Sequence, residues 1–336
     1  METLLLSSSR CQKAANIIKK GGIVAMPTET VYGLAADVFN EEAVKKIFLA
    51  KGRPSDNPLI VHIADLEDIH MLVADFPDVA QKLAEKFWPG PLTMVLPKSP
   101  NVPDSVTAGL ESVAVRFPSH PVAREIIKKS KCPLVAPSAN ISGKPSPTSF
   151  EHVVNDLSHK IDAIVDGGDC SIGVESTVVS LLGEVPRILR PGVITASDIE
   201  KVTGKVEIDE NVCEKSKKKR KILSPGMKYK HYSPSAQVYM VIGSPENYCE
   251  YTNTHASEDS LALCFEEDIP FLNIPYISYG SMENKSEQAR RLFSALRQTE
   301  SMDVKCVYAH FNGKIKENLA IYNRLVRAAG FRVISV

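Results

Sequence analysis

The sequence predicts an α/β protein of two units joined by a tether. Three observations predict it: strand-length apolar runs alternate with helical patterns over residues 8–206, the alternation resumes over 236–336, and composition breaks between them. The 336 residues are 43% hydrophobic and 24% charged. At roughly 100–200 residues per domain, that length is enough for two separate cores.

Taken in order, residues 23–26 form a short apolar run behind Gly21 and Gly22, the mark of a buried strand. Ala43, Val44, Ile47 and Phe48 share one face of a helix over 41–50. Further strands are expected at 59–63, 92–96, 113–117, 134–137, 163–165, 177–181 and 187–189. Helices are expected at 76–87, 121–130, 149–157 and 196–203, several opening on a Ser, Thr or Asp cap. Prolines crowd positions 54–103 and recur at Pro145 and Pro147, which favours fixed irregular loops over long helices.

From 207 to 235 apolar residues are few, and six of the seven residues 215–221 are basic. Residues 1–207 hold 22 basic and 25 acidic residues, 208–235 hold 8 and 3, and 236–336 hold 10 and 12. The middle segment therefore reads as a linker, and its basic run as a solvated tether rather than an RNA site. Beyond it, strands are expected at 238–242, 261–265, 274–277, 304–308 and 331–336, with helices at 283–298 and 315–328. That alternation implies a small parallel open sheet.

The totals of 40 basic and 40 acidic residues argue against coating nucleic acid by bulk charge. No run approaches the ~18–20 apolar residues of a membrane span, and the N-terminus lacks the basic leader of a signal peptide. The 7 cysteines are scattered without a C-x-x-C pair, so reduced thiols and a cytoplasmic setting are expected. There is no G-x-G-x-x-G or P-loop motif, no nucleophile motif, and no histidine spacing that suits a metal.

Polar groups instead gather at strand ends. Pro27-Thr-Glu-Thr-Val-Tyr-Gly-Leu-Ala35 packs hydroxyls, a carboxylate and a glycine behind the first strand, as either a ligand loop or an edge strand and turn. Lys51 and Arg53 straddle Gly52 past a helix end, with Asn57 and His62 on either side of the next strand start. Ser138, Asn140, Ser142, Gly143, Lys144 and Ser146 follow a buried strand, a pattern suited to anions and nucleotides. A fourth group is Gly173-Val-Glu-Ser-Thr-Val-Val, then Arg187 and Arg190. Arg116 ends an apolar strand, where it needs a partner: a ligand carboxylate or an internal Asp or Glu. Positive charge, hydroxyls and amides without a protein nucleophile fit phosphate chemistry driven by positioning, with a nucleotide bringing its own Mg²⁺.

These motifs resemble the threonylcarbamoyl-AMP synthase family. The resemblance rests on Lys51/Arg53 with Ser138/Asn140, on Pro-Thr-Glu-Thr-Val-Tyr-Gly-Leu, and on Gly-x-Glu-Ser-Thr-Val, over about residues 10–206. Ser224-Pro-Gly-Met-Lys-Tyr-Lys-His-Tyr-Ser-Pro234 marks the longer two-domain form. The resemblance implies a YrdC-like domain at 8–206, with a twisted mixed open sheet and helices. A linker and active-site lid at 207–235 and a smaller Rossmann-like α/β domain at 236–336 would follow.

It also implies that L-threonine, bicarbonate and ATP with Mg²⁺ give L-threonylcarbamoyladenylate and diphosphate. The product would pass to a complex that modifies tRNA beside the anticodon, with little or no direct tRNA binding. By resemblance, Thr30, His62, Arg116, Ala136 and Thr177 hold threonine. Arg53, Asn57, Ser112, Ser138, Ser146, Arg190, His231 and Tyr232 hold ATP. Lys51 and Arg53 stabilise charge on the α-phosphate, and Asn140 shapes the carbamate site. Ser112 stands where a threonine is commoner. Two other readings remain open at this stage: an RNA-binding surface, and carbamoyl transfer in metallocentre maturation, for which no accompanying zinc-finger cysteines are seen.

Overall fold

A computed structural model describes residues 2–213 and 232–336, so the basic run 215–221 and most of the expected lid lie outside the described residues. Among the described residues the first unit builds an eleven-stranded sheet. Its strands are β1 (Leu4–Ser7), β2 (Val24–Met26), β3 (Gly33–Asp37), β4 (Ile60–His62), β5 (Leu92–Pro97), β6 (Ser112–Arg116), β7 (Leu134–Val135), β8 (Ala163–Asp166), β9 (Thr177–Ser180), β10 (Arg187–Arg190) and β11 (Glu207–Ile208). Their order is β1-β8-β2-β3-β7-β4-β6-β5-β9-β10-β11. Parallel pairs such as β4/β6 and β5/β9 mix with antiparallel ones such as β2/β3 and β5/β6.

Both faces of this sheet are covered, which is why its strands read as continuous apolar runs. The alternation of side chains sends Ile23 and Ala25 to one core and Val24 and Met26 to the other. Helices Cys11–Lys19 and Pro121–Ser130 close the second core with Ala14, Ile18, Ala123 and Ile126. Helices Glu41–Lys51, Asp78–Phe87, Phe150–Leu157 and Ala196–Thr203 close the first. The helix Glu41–Lys51 matters most for the site. Asn40 caps its N-terminus by accepting from the Ala43 amide at 3.1 Å, and Gly52, at φ +60°, stops it in the left-handed region.

The second unit is a wholly parallel five-stranded sheet in the order β14-β13-β15-β12-β16. Its strands are β12 (Gln237–Ile242), β13 (Ser260–Cys264), β14 (Tyr276–Ser278), β15 (Cys306–Phe311) and β16 (Val333–Ser335). Helix Lys285–Ser301 buries the face expected of it, with Ala289, Leu292, Phe293 and Leu296 inside. Helix Leu319–Ala328 differs from the usual one-sided helix: every residue from Ile321 to Ala328 is buried, including Arg324 and Arg327. It is wedged between the two units, so its polar side must be satisfied by the other domain.

That joint is tight. Val31 and Val174 of the first unit belong to the same apolar cluster as Phe293, Leu292 and Leu325 of the second. Gly173 sits at φ +83°, and a Cβ there would stand 2.4 Å from the Arg290 Cα. Only glycine lets the helix Lys285–Ser301 lie against this loop.

Several elements go beyond the sequence reading, among them the edge strands β1 and β11 and the short helices Ile69–Leu72 and Asp104–Thr107. The first-motif loop continues directly into β3, helix Cys11–Lys19 precedes the first expected strand, and helix Pro245–His255 follows β12. β3 reads Gly-Leu-Ala-Ala-Asp, without the β-branched residues that announce a strand. Helix Pro245–His255 buries only Tyr248, Cys249 and Thr252, so its apolar stripe is faint.

Candidate active site

The strand register assembles the site before any side chain reaches into it. His62 is the Cα partner of Arg116 in the parallel β4/β6 pair, and each is the last residue of its strand, so the two stand side by side where these neighbouring strands end. Ala136 follows β7, and Arg190 ends β10. Between them opens a polar cleft.

Of the two partners that the sequence allowed for Arg116, the structure supplies the internal carboxylate. Its Nη2 lies 2.7 Å from Glu29 Oε1, an ion pair in which both side chains are buried. Its Nη1 donates to Thr30 Oγ1 at 2.8 Å, while the Nε–H makes no hydrogen bond. The guanidinium is thus fixed in place yet keeps donor capacity at the cleft wall. Burial is the largest influence and raises the Glu29 carboxyl, but the Arg116 charge together with hydrogen bonding to Arg116 and the backbone outweighs it and leaves the group below the usual carboxylate range.

His62 is 3% exposed, and burial, followed by the Arg116 charge, pushes its imidazole down to about 3. Its Nδ1 lies 3.3 Å from the Ile60 carbonyl, which can only accept. The proton therefore sits on Nδ1, leaving Nε2 as a neutral acceptor.

Lys51 ends its helix pointing inward rather than to solvent, only 2% exposed. The ammonium donates to the Ser138 carbonyl and, at 2.6 Å, to the Asn140 carbonyl. Burial and then the Arg53 charge push it well below the ordinary lysine range. Asn140 is knitted into the same loop, its Nδ2 donating to Ile141 O at 2.8 Å and Lys144 O at 2.9 Å. Lys51 and Asn140 thus brace one loop while both also line the cleft. Arg53 Nη2 donates to the Pro58 carbonyl at 3.1 Å, and Arg190 Nη2 to Ser176 Oγ at 3.0 Å.

Of the residues singled out from the sequence, Lys51, Arg53, His62, Arg116, Ala136, Ser138, Asn140, Ser146, Arg190 and Tyr232 line this cleft. Thr30, Asn57, Ser112 and Thr177 are buried nearby without lining it. Thr30 acts on Arg116, and Thr177 donates to the Ile194 carbonyl at 2.7 Å. Ser112 starts the strand that Arg116 ends. The two therefore stand ~13 Å apart at about 3.3 Å per residue. His231 lies outside the described residues.

Two residues at or behind the wall were not singled out. Glu175 lines the cleft and accepts from Ser146 Oγ at 2.6 Å. Arg324, from the second unit, donates to Glu175 Oε2 at 3.0 Å. Glu175 sits inside a motif already noticed; Arg324 has no local signal, because an arginine on a surface helix ordinarily faces water. Tyr232 reaches the cleft with a left-handed backbone, φ +63°, and its ring is 5.0 Å from that of Phe293. Such a conformation in a non-glycine residue is held by its surroundings.

In sum the cleft offers Lys51, Arg53, Arg116, Lys144 and Arg190 against the single carboxylate of Glu175, counted among the described residues. Such a site receives a polyanion and stabilises charge that grows on it.

Comparison with known proteins agrees with this chemistry. A family model for Sua5, YciO and YrdC, described as "Telomere recombination", matches residues 16–192. A second, described as "Threonylcarbamoyl-AMP synthase, C-terminal domain", matches residues 194–330. The threonylcarbamoyl-AMP synthase of Pyrococcus abyssi is 47% identical over 329 residues, covering 96% of this chain and 95% of the relative. That of Bacillus subtilis is 44% identical over 337 residues, covering 99% and 96%. The crystal structure of P. abyssi Sua5 complexed with L-threonine superposes with a TM-score of 0.89 at 42% identity, covering 100% of both chains. On the cleft, the two-unit architecture and these full-length matches, the chain belongs to the threonylcarbamoyl-AMP synthase family.

Proposed function

We propose that this chain joins L-threonine, bicarbonate and ATP into L-threonylcarbamoyladenylate, releasing diphosphate. The observation that carries the reading is the cleft itself, with four further cationic side chains around a pair, His62 and Arg116, suited to an amino acid. Arg116 would take the threonine carboxylate on its remaining donors, while Thr30 and Glu29 keep the guanidinium in place. The His62 Nε2, as a neutral acceptor, would take a hydrogen bond from the threonine amine or hydroxyl.

The amine attacks dissolved CO₂ and gives up a proton, or attacks bicarbonate with loss of water, to form a carbamate. A carbamate oxygen then attacks the α-phosphorus of ATP; that P–O bond forms as the α–β bridge breaks and diphosphate leaves. The substrates supply both nucleophiles, so no catalytic serine or cysteine is required. Arg53 and Arg190 line the wall where triphosphate charge is stabilised, and the loop braced by Lys51 and Asn140 sets the floor for the carbamate. Ser138, Ser146 and Tyr232 in the cleft lining would contact the nucleotide, and the buried Asn57 and Ser112 would have to act on it from behind that lining.

Mg²⁺ would enter on the triphosphate and neutralise part of its charge. Among the described residues no group of three or more His, Cys, Asp or Glu could hold a metal, and Glu175 is already engaged by Ser146 and Arg324. The residues present therefore suit an ion carried by the phosphates.

The product would pass to a tRNA-modifying transferase complex in the cytoplasm. Among the described residues no helix is long and apolar enough to cross a membrane. The test is diphosphate release from ATP, Mg²⁺, bicarbonate and threonine. Release that depends on both threonine and bicarbonate is expected; release indifferent to them would overturn the reading.

A further inference from the structure

The second domain contributes a buried charge to the back of the cleft wall. Arg324 is 0% exposed, although it lies on a helix of the other unit. Its Nε meets Glu175 Oε2 at 3.0 Å, and its Nη1 donates to the Pro191 carbonyl at 2.6 Å, next to Arg190. Its guanidinium carbon stands 5.8 Å from the centre of the Tyr232 ring. Glu175, in turn, accepts from the hydroxyl of Ser146 through its other oxygen, at 2.6 Å. A single side chain from the second domain thus touches or backs Glu175, Tyr232 and the segment carrying Arg190, all part of the cleft.

Charge makes this arrangement consequential. Glu175 is the one carboxylate among the described residues lining a cleft built for a triphosphate. Left uncompensated, a buried carboxylate there repels the incoming phosphates and is itself costly to bury. Burial raises the Glu175 carboxyl, yet the Arg324 and Arg190 charges and the Ser146 hydrogen bond bring it below the usual range, so it stays ionised.

We propose that Arg324 is a positioning residue for the nucleotide: from the second domain it cancels the charge of Glu175 and fixes the carboxylate that orients Ser146. The second domain then sets the affinity for ATP rather than serving only as a scaffold. This inference rests on the synthase reading above.

Steady-state kinetics on the full chain, with thermal midpoints, test it in wild type, Arg324→Met, Arg324→Lys and the Glu175→Gln/Arg324→Met pair. Arg324→Met is expected to raise the KM for ATP at least about tenfold while the KM for threonine moves less than about threefold. Arg324→Lys keeps the charge and recovers most of the loss. The neutral pair, whose glutamine still accepts from Ser146, returns the ATP KM to within about threefold of wild type. Where Arg324→Met fails to fold, the lysine variant and the neutral pair carry the same comparison. A folded Arg324→Met with wild-type ATP KM overturns the proposal, as does a neutral pair or lysine variant with an ATP KM raised tenfold. Wild-type protein that releases no diphosphate would instead overturn the synthase reading.

Discussion

Arg297 of the second domain reaches across the joint to place its Nη2 2.7 Å from Asp156 Oδ2, and the two side chains are 8% and 2% exposed. The same nitrogen donates to the Pro145 carbonyl at 2.6 Å, in the loop that carries Lys144 and Ser146 to the cleft. Helix Lys285–Ser301 therefore holds one side of the cleft as Arg324 holds the other.

Removing Arg297 leaves the buried Asp156 carboxylate only the more distant Lys144 ammonium, 3.6 Å from its Oδ1. Arg297→Met is expected to cost about 3 kcal/mol of unfolding free energy, since an uncompensated buried charge costs roughly 3–5 kcal/mol. Adding Asp156→Asn should recover more than half of that loss. Urea unfolding of both variants checks this, and a single variant as stable as wild type would show that the pair adds nothing to docking.

His62 makes stability depend on pH in a fixed direction. Its imidazole stays neutral in the fold down to about 3. As pH falls through the ordinary histidine range the unfolded chain gains a proton that the folded chain refuses, so stability declines with acidity. By pH 5 the penalty from this one group is about 2 kcal/mol relative to neutral pH. His62→Gln removes the titrating group and should lose about 2 kcal/mol less than wild type over that interval. Equal losses in both proteins would mean that the folded chain does protonate His62.

The sequence reading located the site better than it located the joint, and the reason is physical. Lys51, Arg53, Ser138 and Asn140 sit at the ends of apolar segments, where a polar residue breaks a visible pattern. The cluster at Lys51 reads as charge offered to a ligand; the structure keeps Lys51 in the cleft lining and adds the Ser138 and Asn140 carbonyls as partners of its ammonium, a partnership set by packing 87 and 89 residues away. Arg324 and Glu175 are 149 residues apart, and nothing local to either announces the other. β3 escaped because its small residues carry no strand signature, although Gly33 to Asp37 lies in mid-sheet.

Gly173 is where backbone freedom sets the distance between the domains. At φ +83° it lies where side-chain-bearing residues are strained, and an added Cβ would meet Arg290 Cα at 2.4 Å and Arg290 O at 2.5 Å. Those atoms are backbone and cannot rotate away. Gly173→Ala is expected to cost about 2–4 kcal/mol and to loosen helix Lys285–Ser301 from the Glu175 loop. Limited proteolysis should then cut the joint faster, and the ATP KM should rise. Unaltered proteolysis and kinetics would show that the loop and helix adjust at little cost.

Tyr232 is where the chain returns from the tether to the cleft. Its neighbour Ser233 is held from both units, the amide donating to Gly143 O at 3.0 Å and the hydroxyl to Ala328 O at 3.0 Å. These anchors do not involve the Tyr232 side chain, so replacing the ring tests the cleft wall without releasing the backbone. Tyr232→Ala should lower threonylcarbamoyl-AMP formation at least about tenfold while both domains stay folded, because water enters a site where charge stabilisation depends on its exclusion. Tyr232→Phe keeps the ring against Phe293 and should retain most of the turnover if shape is the ring's contribution. A phenylalanine variant as impaired as the alanine one would transfer the role to the hydroxyl, and wild-type turnover in the alanine variant would remove Tyr232 from the mechanism.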